Sequence, residues 1–150
     1  MRVLIQRVTR ASVKVEGEIV GSIERGLLIL VGVEREDTLE DAKYLAQKCV
    51  GLRIFDDAEG VMNLSVGQVG GDILAISQFT LHALTKRGNR PSYINAAPEP
   101  ISRPLYQSFV KELEQLTQKT VATGIFGADM KVELLNDGPV TIFMDSKNMQ

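Results

Sequence analysis

A short polar stretch follows an apolar run in the middle of the chain, and its side chains suit the binding or hydrolysis of a small substrate. The apolar run Ile73–Ile76 predicts a buried strand, and Ser77, Gln78 and Thr80 bring two hydroxyls and an amide to its end. Backbone N–H groups near Gln78 and Phe79 could hold a developing oxyanion. The alternative is that serine and threonine merely end an ordinary strand. A regular strand would point Ser77 and Thr80 to opposite faces, so one pocket requires a turn or bulge between them.

A second candidate stretch lies near the C-terminus, where residues 136–141 read Asn-Asp-Gly-Pro-Val-Thr between two apolar runs. Asn-Asp-Gly-Pro is a good hairpin connection, so one interpretation is a turn with no further role. The other is that Pro139 follows a cis peptide bond, which aims the neighbouring carbonyl groups in a direction that a trans bond cannot. We expect this stretch and Ser77–Leu81 to form one site.

Other kinds of catalytic site find little support in the sequence. His82 is the only histidine, so a serine esterase would need it as its base, and no G-x-S-x-G motif is present. One cysteine, Cys49, and one histidine cannot form a Cys/His zinc site, and Cys49 lies on the apolar face of a predicted helix. The acidic turn Asp56–Gly60 lacks the pattern of a calcium loop. We therefore expect no metal and no cofactor.

A small basic cluster follows the polar stretch. Lys86, Arg87 and Arg90 lie in Thr85–Pro100, a segment without regular periodicity. Loops of this length in a compact domain are usually functional or disordered. The cluster is either a solvated loop or a phosphate contact. The formal net charge of −2 argues against extensive coating of nucleic acid but permits such a local patch.

The remaining sequence predicts many strands and two helices. A helix should begin at Thr38, where Asp41 completes a capping box, and end at Gly51. A second should begin near Ser102, with Pro104 in its first turn. The other strands are predicted at Arg2–Val15 (with a bulge or a break near Thr9–Ala11), Ile19–Ile23, Leu27–Val33, Leu52–Phe55, Met130–Leu135 and Val140–Met144.

The whole chain fits one domain of the α/β class, spanning residues 1–150, in which barrel-like layers of a strand-rich sheet are covered by the two helices. Its hydrophobic content of 44% supports a sizeable core. No apolar run reaches membrane-spanning length, and the N-terminus lacks the features of a signal peptide, so we expect a cytoplasmic protein with no membrane partner.

Taken together, the motifs resemble those of D-aminoacyl-tRNA deacylases. Ser77–Leu81 and Asn136–Thr141 look like the signature pair of that family. Four further stretches extend the resemblance over nearly the whole chain: Ile5–Val8, Arg53–Phe55, Arg87–Ser92 and Gly124–Met130. The tail beyond about residue 144 resembles nothing, and we expect it to be dispensable.

The resemblance implies a homodimeric hydrolase of translation quality control. It would cleave the ester between a D-amino acid, or glycine on the wrong tRNA, and the 3′-terminal ribose of tRNA. The Gly138–Pro139 bond, expected to be cis, would enter the partner's pocket and exclude L-amino acids. Asn136 and Met130 would belong to the same substrate-binding group, and Lys86, Arg87 and Arg90 would contact tRNA.

The same resemblance suggests how catalysis proceeds without a side-chain nucleophile. Ser77, Gln78, Phe79 and Thr80 form the catalytic segment, in which backbone N–H groups polarise the ester carbonyl and the terminal ribose 2′-hydroxyl helps to position water. Thr80 is the obvious candidate nucleophile, but with no convincing base nearby we expect it to have a positioning role. A non-catalytic module that binds nucleic-acid ends remains the competing class.

Overall fold

The fold is built around β1, the 14-residue strand Arg2–Val15, which pairs along both of its edges. The computed structural model describes residues 1–150. On one edge β1 pairs antiparallel with the C-terminal strand β8 (Lys131–Asp145) over almost its whole length. On the other edge its first half pairs with β3 (Gly26–Gly32) and its second half with β2 (Glu18–Ile23). Alternating β-branched residues favour this long strand.

The other strands complete a curled sheet in the order β2-β1-β3-β6-β7. β8 lies along the edge of β1 opposite to the one that β2 and β3 share. A Cβ placed on Gly21 of β2 would lie only 2.6 Å from the Thr123 carbonyl oxygen of β7, so the two ends of the sheet nearly meet. The α/β class, the barrel-like sheet and its two helices are therefore confirmed. The remaining elements are β4 (Phe55–Asp56), β5 (Met62–Leu64), β6 (Asp72–Ser77), β7 (Ala122–Thr123), α1 (Leu39–Gly51), α2 (Glu99–Thr117) and a 3-10 helix (Phe79–His82).

The central strand β3 contributes to hydrophobic clusters on both faces of the sheet. Leu27 and Ile29 belong to the larger cluster, which lies against α1 and α2, whereas Leu28 belongs to a smaller cluster inside the curl. A strand buried on both faces is expected to be apolar throughout. Parallel pairing of β3 with β6 then carries the end of β6, at Ser77, beside Val31.

The helices confirm the predicted helix starts only in part. In α1 the Thr38 N–H donates to the Asp41 carboxylate at 2.9 Å, as the predicted capping box requires. Cys49 is fully buried in the larger cluster, and burial raises the pKa of its thiol, which suits a core residue. The predicted start of α2 near Ser102 is wrong, since the helix begins at Glu99. Pro100 occupies the first turn, where a missing N–H costs nothing, and Pro104 lies inside the helix.

Two strand predictions need correction, and a third is confirmed. Leu52–Phe55 is not a strand: only Phe55–Asp56 pairs, because Leu52 caps α1. Of the bulge or break predicted near Thr9–Ala11, the bulge is found, as a register shift between Val8 and Arg10, and β1 itself continues. The two C-terminal runs are one strand, because both pair antiparallel with β1 in the same direction; residues 137–140 bulge out between them.

The C-terminal tail contacts the rest of the protein. The Ser146 hydroxyl accepts a hydrogen bond from the Met1 amino group at 2.8 Å and donates one to Asp41 at 2.6 Å. Lys147 forms an ion pair with Asp41 at 3.0 Å. Dispensability of the tail stays a prediction, and these contacts weigh against it. Neither helix has the length and apolar character needed to cross a membrane.

Candidate active site

The polar stretch lies where β6 ends and a tight turn begins. β6 stops at Ser77, Gln78 adopts φ −147° and ψ 83°, and the 3-10 helix starts at Phe79. This change of backbone direction is the turn that the sequence required between Ser77 and Thr80. Space behind it is limited, since a Cβ on Gly32 would lie 2.9 Å from the Gln78 carbonyl oxygen.

A cavity of about 250 Å³ opens beside this turn. Ser77, Gln78 and Phe79 form one wall, and β3 contributes Val31 and Val33. The other lining residues come from β6, β8, α2 and the loop after β7: Ile76, Val132, Ser102, Tyr106 and 126–130. Nine of the 14 lining residues are hydrophobic, so the cavity suits an organic group with a few polar anchors.

The backbone N–H groups at the cavity are not equally available. The Gln78 N–H donates to the Val31 carbonyl at 2.7 Å, so it extends the sheet and is not free for a substrate in this structure. Phe79 and Thr80 donate none of the 24 backbone hydrogen bonds found outside the regular helices and strands, and no side chain accepts from their N–H groups. The first N–H groups of a helix normally lack a partner within it. The expectation that Gln78 supplies an N–H is thus revised in favour of Phe79, which lines the cavity, and Thr80, which follows it just beyond the lining.

The two hydroxyls of the stretch lie in different places. Ser77 lines the cavity, whereas the Thr80 side chain does not. Thr80 Oγ1 instead accepts a hydrogen bond from Gln78 Nε2 at 2.5 Å, which ties the Gln78 amide to the 3-10 helix. No side-chain base contacts either hydroxyl.

His82 does not form a catalytic dyad with Ser77. Its side chain is 2% exposed, and Nε2 is buried without a hydrogen-bond partner. A serine esterase needs its nucleophile and base within hydrogen-bonding distance. The arrangement offers no support for that alternative. In addition, no three His, Cys, Asp or Glu side chains are arranged to hold a metal ion.

Tyr106 fastens α2 to the strand that ends at the site. Its hydroxyl donates to the Ala75 carbonyl of β6 at 2.8 Å. Burial disfavours the phenolate and raises the pKa of Tyr106 to about 12, so the hydroxyl keeps its proton at neutral pH. Its ring also lines the cavity and lies 5.7 Å from that of Phe126.

The second stretch forms a bulge whose base is closed by Asn136. Asn136 Oδ1 accepts from the Val140 N–H at 2.8 Å, and Nδ2 donates to the Val140 carbonyl at 3.3 Å and to Thr141 Oγ1 at 3.1 Å. At the exposed tip, Gly138 has φ +138°, which favours glycine, and the Gly138–Pro139 peptide bond is cis.

Arg7 supports the bulge from below. Its guanidinium donates to the Asp137 carbonyl at 2.9 Å and to the Ile54 carbonyl at 2.7 Å. The side chain is only 9% exposed, and the carboxylates of Asp56 and Asp137 each lie 3.7 Å away. This buried cation joins β1, β4 and the bulge, and its charge is compensated from both sides.

The two stretches do not share a pocket within one chain. Asn136, Gly138 and Pro139 are absent from the cavity lining, whereas Met130 is present in it. The expectation that Ser77–Leu81 and Asn136–Thr141 form one site is therefore not met inside a single protomer.

The basic cluster is exposed and adjacent to the turn. Lys86, Arg87 and Arg90 form no ion pair with any acidic side chain of the chain. Tyr93 packs edge-on against Phe79, with ring centroids 5.1 Å apart, and so connects this loop to the 3-10 helix. Three unpaired cations thus lie on the loop next to the cavity wall.

Comparison with known proteins decides the family. Residues 4–145 match the family model described as D-Tyr-tRNA(Tyr) deacylase. A protein of Bacteroides thetaiotaomicron, named D-aminoacyl-tRNA deacylase, is 61% identical over 150 residues, covering all of both chains. A protein of the same name from Flavobacterium psychrophilum is 59% identical over the same span.

The chain belongs to the D-aminoacyl-tRNA deacylase family.

The deacylase fold also occurs in solved structures. One, titled "c-Myc DNA Unwinding Element Binding Protein", is 38% identical, with a TM-score of 0.91 and coverage of 97% of this chain and 98% of that one. Another, titled a probable eukaryotic D-amino acid tRNA deacylase, has a TM-score of 0.81 at 18% identity, covering 95% and 97% of the two chains, and shows the shared fold. Membership of this family makes the protein a hydrolase.

Several residues of the candidate site were not singled out from sequence. Tyr106, Ser102 and the loop 126–129 line the cavity, and Arg7 supports the bulge. A signal existed for two of these, because Arg7 and the loop lie in stretches that carry the family resemblance. Tyr106 and Ser102 had no such signal, because single tyrosine and serine residues on a helix belong to no motif.

Proposed function

We propose that the protein hydrolyses the ester of D-aminoacyl-tRNA, and of glycine attached to the wrong tRNA, releasing the amino acid and tRNA. Full-length identity of 61% to a protein named D-aminoacyl-tRNA deacylase is the observation that carries this proposal. The cavity beside Ser77–Phe79 supports it, because its size and mixed lining suit the end of an aminoacylated ribose. Such a substrate would place the enzyme in the cytoplasm.

In the proposed reaction the ester carbonyl oxygen accepts hydrogen bonds from the N–H groups of Phe79 and Thr80. Water adds to the carbonyl carbon, the negative charge of the tetrahedral intermediate is held by those N–H groups, and the bond to the ribose 3′-oxygen breaks. The proton that the attacking water gives up passes to the 3′-oxygen as it leaves, and the neighbouring 2′-hydroxyl orients the water. Fixed donors need no reorganisation during the reaction, which suits a site without a side-chain base.

Chiral selection is proposed to come from a partner protomer. Gly138 and Pro139 are exposed, and they lie outside the cavity of their own chain. In a homodimer the bulge of one protomer would enter the other's cavity, where its carbonyl groups would engage the substrate α-amino group. A D-side chain or hydrogen would then fit, whereas an L-side chain would clash with the bulge.

The outer surface of β8 is suited to such a dimer. Its outward-pointing positions include Leu135, 51% exposed, and Phe143, 53% exposed, on either side of the bulge. One edge of the strand pairs with β1, and the other has no strand partner. Exposed apolar side chains on an unpaired edge favour association with a second copy.

A nucleic-acid-binding module without catalysis is the second candidate. The favouring observations are the unpaired cations Lys86, Arg87 and Arg90 and the 38% identity to a structure titled as a DNA unwinding element binding protein. The same cations could instead hold the acceptor end of tRNA, so they do not separate the two functions.

A deacylation time course with matched D-Tyr-tRNA and L-Tyr-tRNA separates these candidates. We expect rapid loss of the D-ester while the L-ester is untouched. Equal loss of both esters would indicate a generic esterase. Such an esterase would use His82 as its base, so the His82→Ala protein would have to be inactive. Binding of tRNA without loss of either ester would favour the binding module and overturn the proposed hydrolysis.

A further inference from the structure

One wall of the cavity is a loop that folds back on itself. The loop Gly124–Met130 turns where the Ala128 N–H donates to the Ile125 carbonyl at 3.1 Å, with Gly127 at φ +79°. The turn brings Met130, which lines the cavity, back over Gly124. The two ends of the loop therefore lie against each other, with Met130 on the cavity side.

Gly124 provides the space that the Met130 thioether occupies. A Cβ on Gly124 would overlap Met130 Sδ, while its next neighbour, Val13 Cγ2, would be at an ordinary contact distance of 3.6 Å. The three atoms nearest to that Cβ all belong to the side chains of Met130 and Val13. An alanine at position 124 would therefore conflict first with Met130.

The cavity offers open space to a displaced Met130. On its inner side it packs against the smaller hydrophobic cluster, which includes Val13. On its outer side is the cavity of about 250 Å³. A thioether is flexible and moves readily into empty space, whereas close-packed cores resist added volume. Pressure from position 124 would therefore push Met130 into the cavity.

We propose that Gly124 is a positioning residue that sets the depth of the substrate cavity by seating Met130 in its wall. The effect on catalysis rests on the proposed function, because the cavity must be where the aminoacyl end binds. Met130 offers an apolar surface and no charge, so its displacement should weaken substrate binding more than it slows the chemical step.

The test combines kinetics with a direct view of Met130. In Gly124→Ala protein we expect KM for D-Tyr-tRNA to rise about tenfold and kcat to change less than about threefold. The ¹³C-methyl spectrum of methionine-labelled protein, with the Met130 signal assigned from Met130→Leu protein, should show that signal shifted. In the Gly124→Ala/Met130→Ala double variant, KM should return to that of Met130→Ala alone, because no thioether remains to be displaced.

Gly67→Ala is the matched control, because nothing lies within 4 Å of a Cβ there and its φ is not positive. An unmoved Met130 signal in Gly124→Ala protein would overturn the proposal, and so would a KM increase that persists in the double variant. Wild-type protein that leaves D-Tyr-tRNA intact would overturn the proposed function instead. The methyl spectrum would still decide whether Gly124 seats Met130.

Discussion

Ser77 and Thr80 have different surroundings although they lie three positions apart. Ser77 lines the cavity, and Thr80 accepts a hydrogen bond from Gln78 Nε2 outside it. The separation arises because the chain leaves β6 and turns into the 3-10 helix between them. A hydroxyl outside the cavity, with no base, suits a residue that holds the turn and does not attack the substrate.

Thr80→Ala protein is therefore expected to keep most of its activity. We predict a loss of less than about tenfold in single-turnover hydrolysis of D-Tyr-tRNA, because the N–H groups remain, whereas deleting a true nucleophile costs several orders of magnitude. Thr80→Ser protein, which keeps the acceptor for Gln78, should be closer to wild type. Near-complete loss of hydrolysis in Thr80→Ala protein, with folding and tRNA binding intact, would instead identify Thr80 as the nucleophile.

At the scale of elements, β8 carries a bulge at residues 137–140. The strand residues before and after this bulge both pair with β1. Asn136 closes the base of this bulge through both the N–H and the carbonyl of Val140. Arg7 holds the Asp137 carbonyl from below. The tip, Gly138–Pro139, is thus fixed by contacts at its base.

Removing the closure at Asn136 should relax chiral selection. In Asn136→Ala protein the Val140 N–H and carbonyl lose their side-chain partner, so we predict that the ratio of kcat/KM for D-Tyr-tRNA over L-Tyr-tRNA falls about tenfold or more. Parallel time courses with the two esters measure the ratio. Asn63→Ala protein, altered in β5 away from the cavity and the bulge, is the control. An unchanged ratio would show that the bulge keeps its shape without Asn136.

The contact between α2 and β6 has a consequence at high pH. The pKa of Tyr106 is raised to about 12 from an ordinary value of 10.0, because burial disfavours the charged phenolate. Below pH 10 the phenol is neutral in both folded and unfolded chains. Between pH 10 and 12 only the unfolded chain loses the proton, so stability falls as pH rises through this window.

Tyr106→Phe protein lacks this ionisation. Between pH 10 and 12, wild type should therefore lose up to about 1.4 kcal/mol more in free energy of unfolding than the variant for each pH unit. Urea unfolding at pH 9, 10 and 11 measures the difference, and Tyr44→Phe, which alters an exposed tyrosine, is the control. Parallel pH profiles of wild type and Tyr106→Phe would show that Tyr106 ionises alike in the folded and unfolded chains.

Sequence patterns predicted most elements because burial leaves a local trace. The apolar β3 and the capped start of α1 are examples. The bulge was mistaken for a hairpin because Asn-Asp-Gly-Pro permits either, and the choice depends on pairing with β1, more than 120 residues away. Likewise, the Gln78 N–H was expected to be free because its partner, Val31, becomes apparent only once β3 and β6 are aligned.

At the scale of the whole molecule, the protein has a formal net charge of −2, yet the tRNA that it is proposed to bind is a polyanion. Only a few cations near the cavity, Lys86, Arg87 and Arg90, are free of ion pairs. We therefore predict a shallow salt dependence of tRNA binding, with a slope of log K against log salt of about −3 or less steep. Replacing all three by alanine should flatten the slope by about 2 to 3. A slope of about −10 would mean that the protein contacts many more phosphates.

The proposed dimer predicts rescue between two defective chains. Ala128→Phe should fill its own cavity and abolish hydrolysis while leaving its bulge intact. Asn136→Ala protein has an open cavity but a loosened bulge. In a mixed dimer the intact bulge of the Ala128→Phe protomer would enter the open cavity of the Asn136→Ala protomer, and strict D-selectivity should return there. If the bulge acts within its own chain, adding Ala128→Phe protein will leave L-ester hydrolysis unchanged.

The long pairing of β1 with β8 also bears on where the sequences of this family can change during evolution. The β8 residues flanking the bulge are held in register by β1, and a one-residue slip there would turn every side chain to the wrong face. Residues 137–139 have no such ladder to obey. Insertions and deletions at the tip should therefore leave the sheet intact, whereas those in its flanks should disrupt it, so the residues proposed to meet the substrate can change without disturbing the sheet.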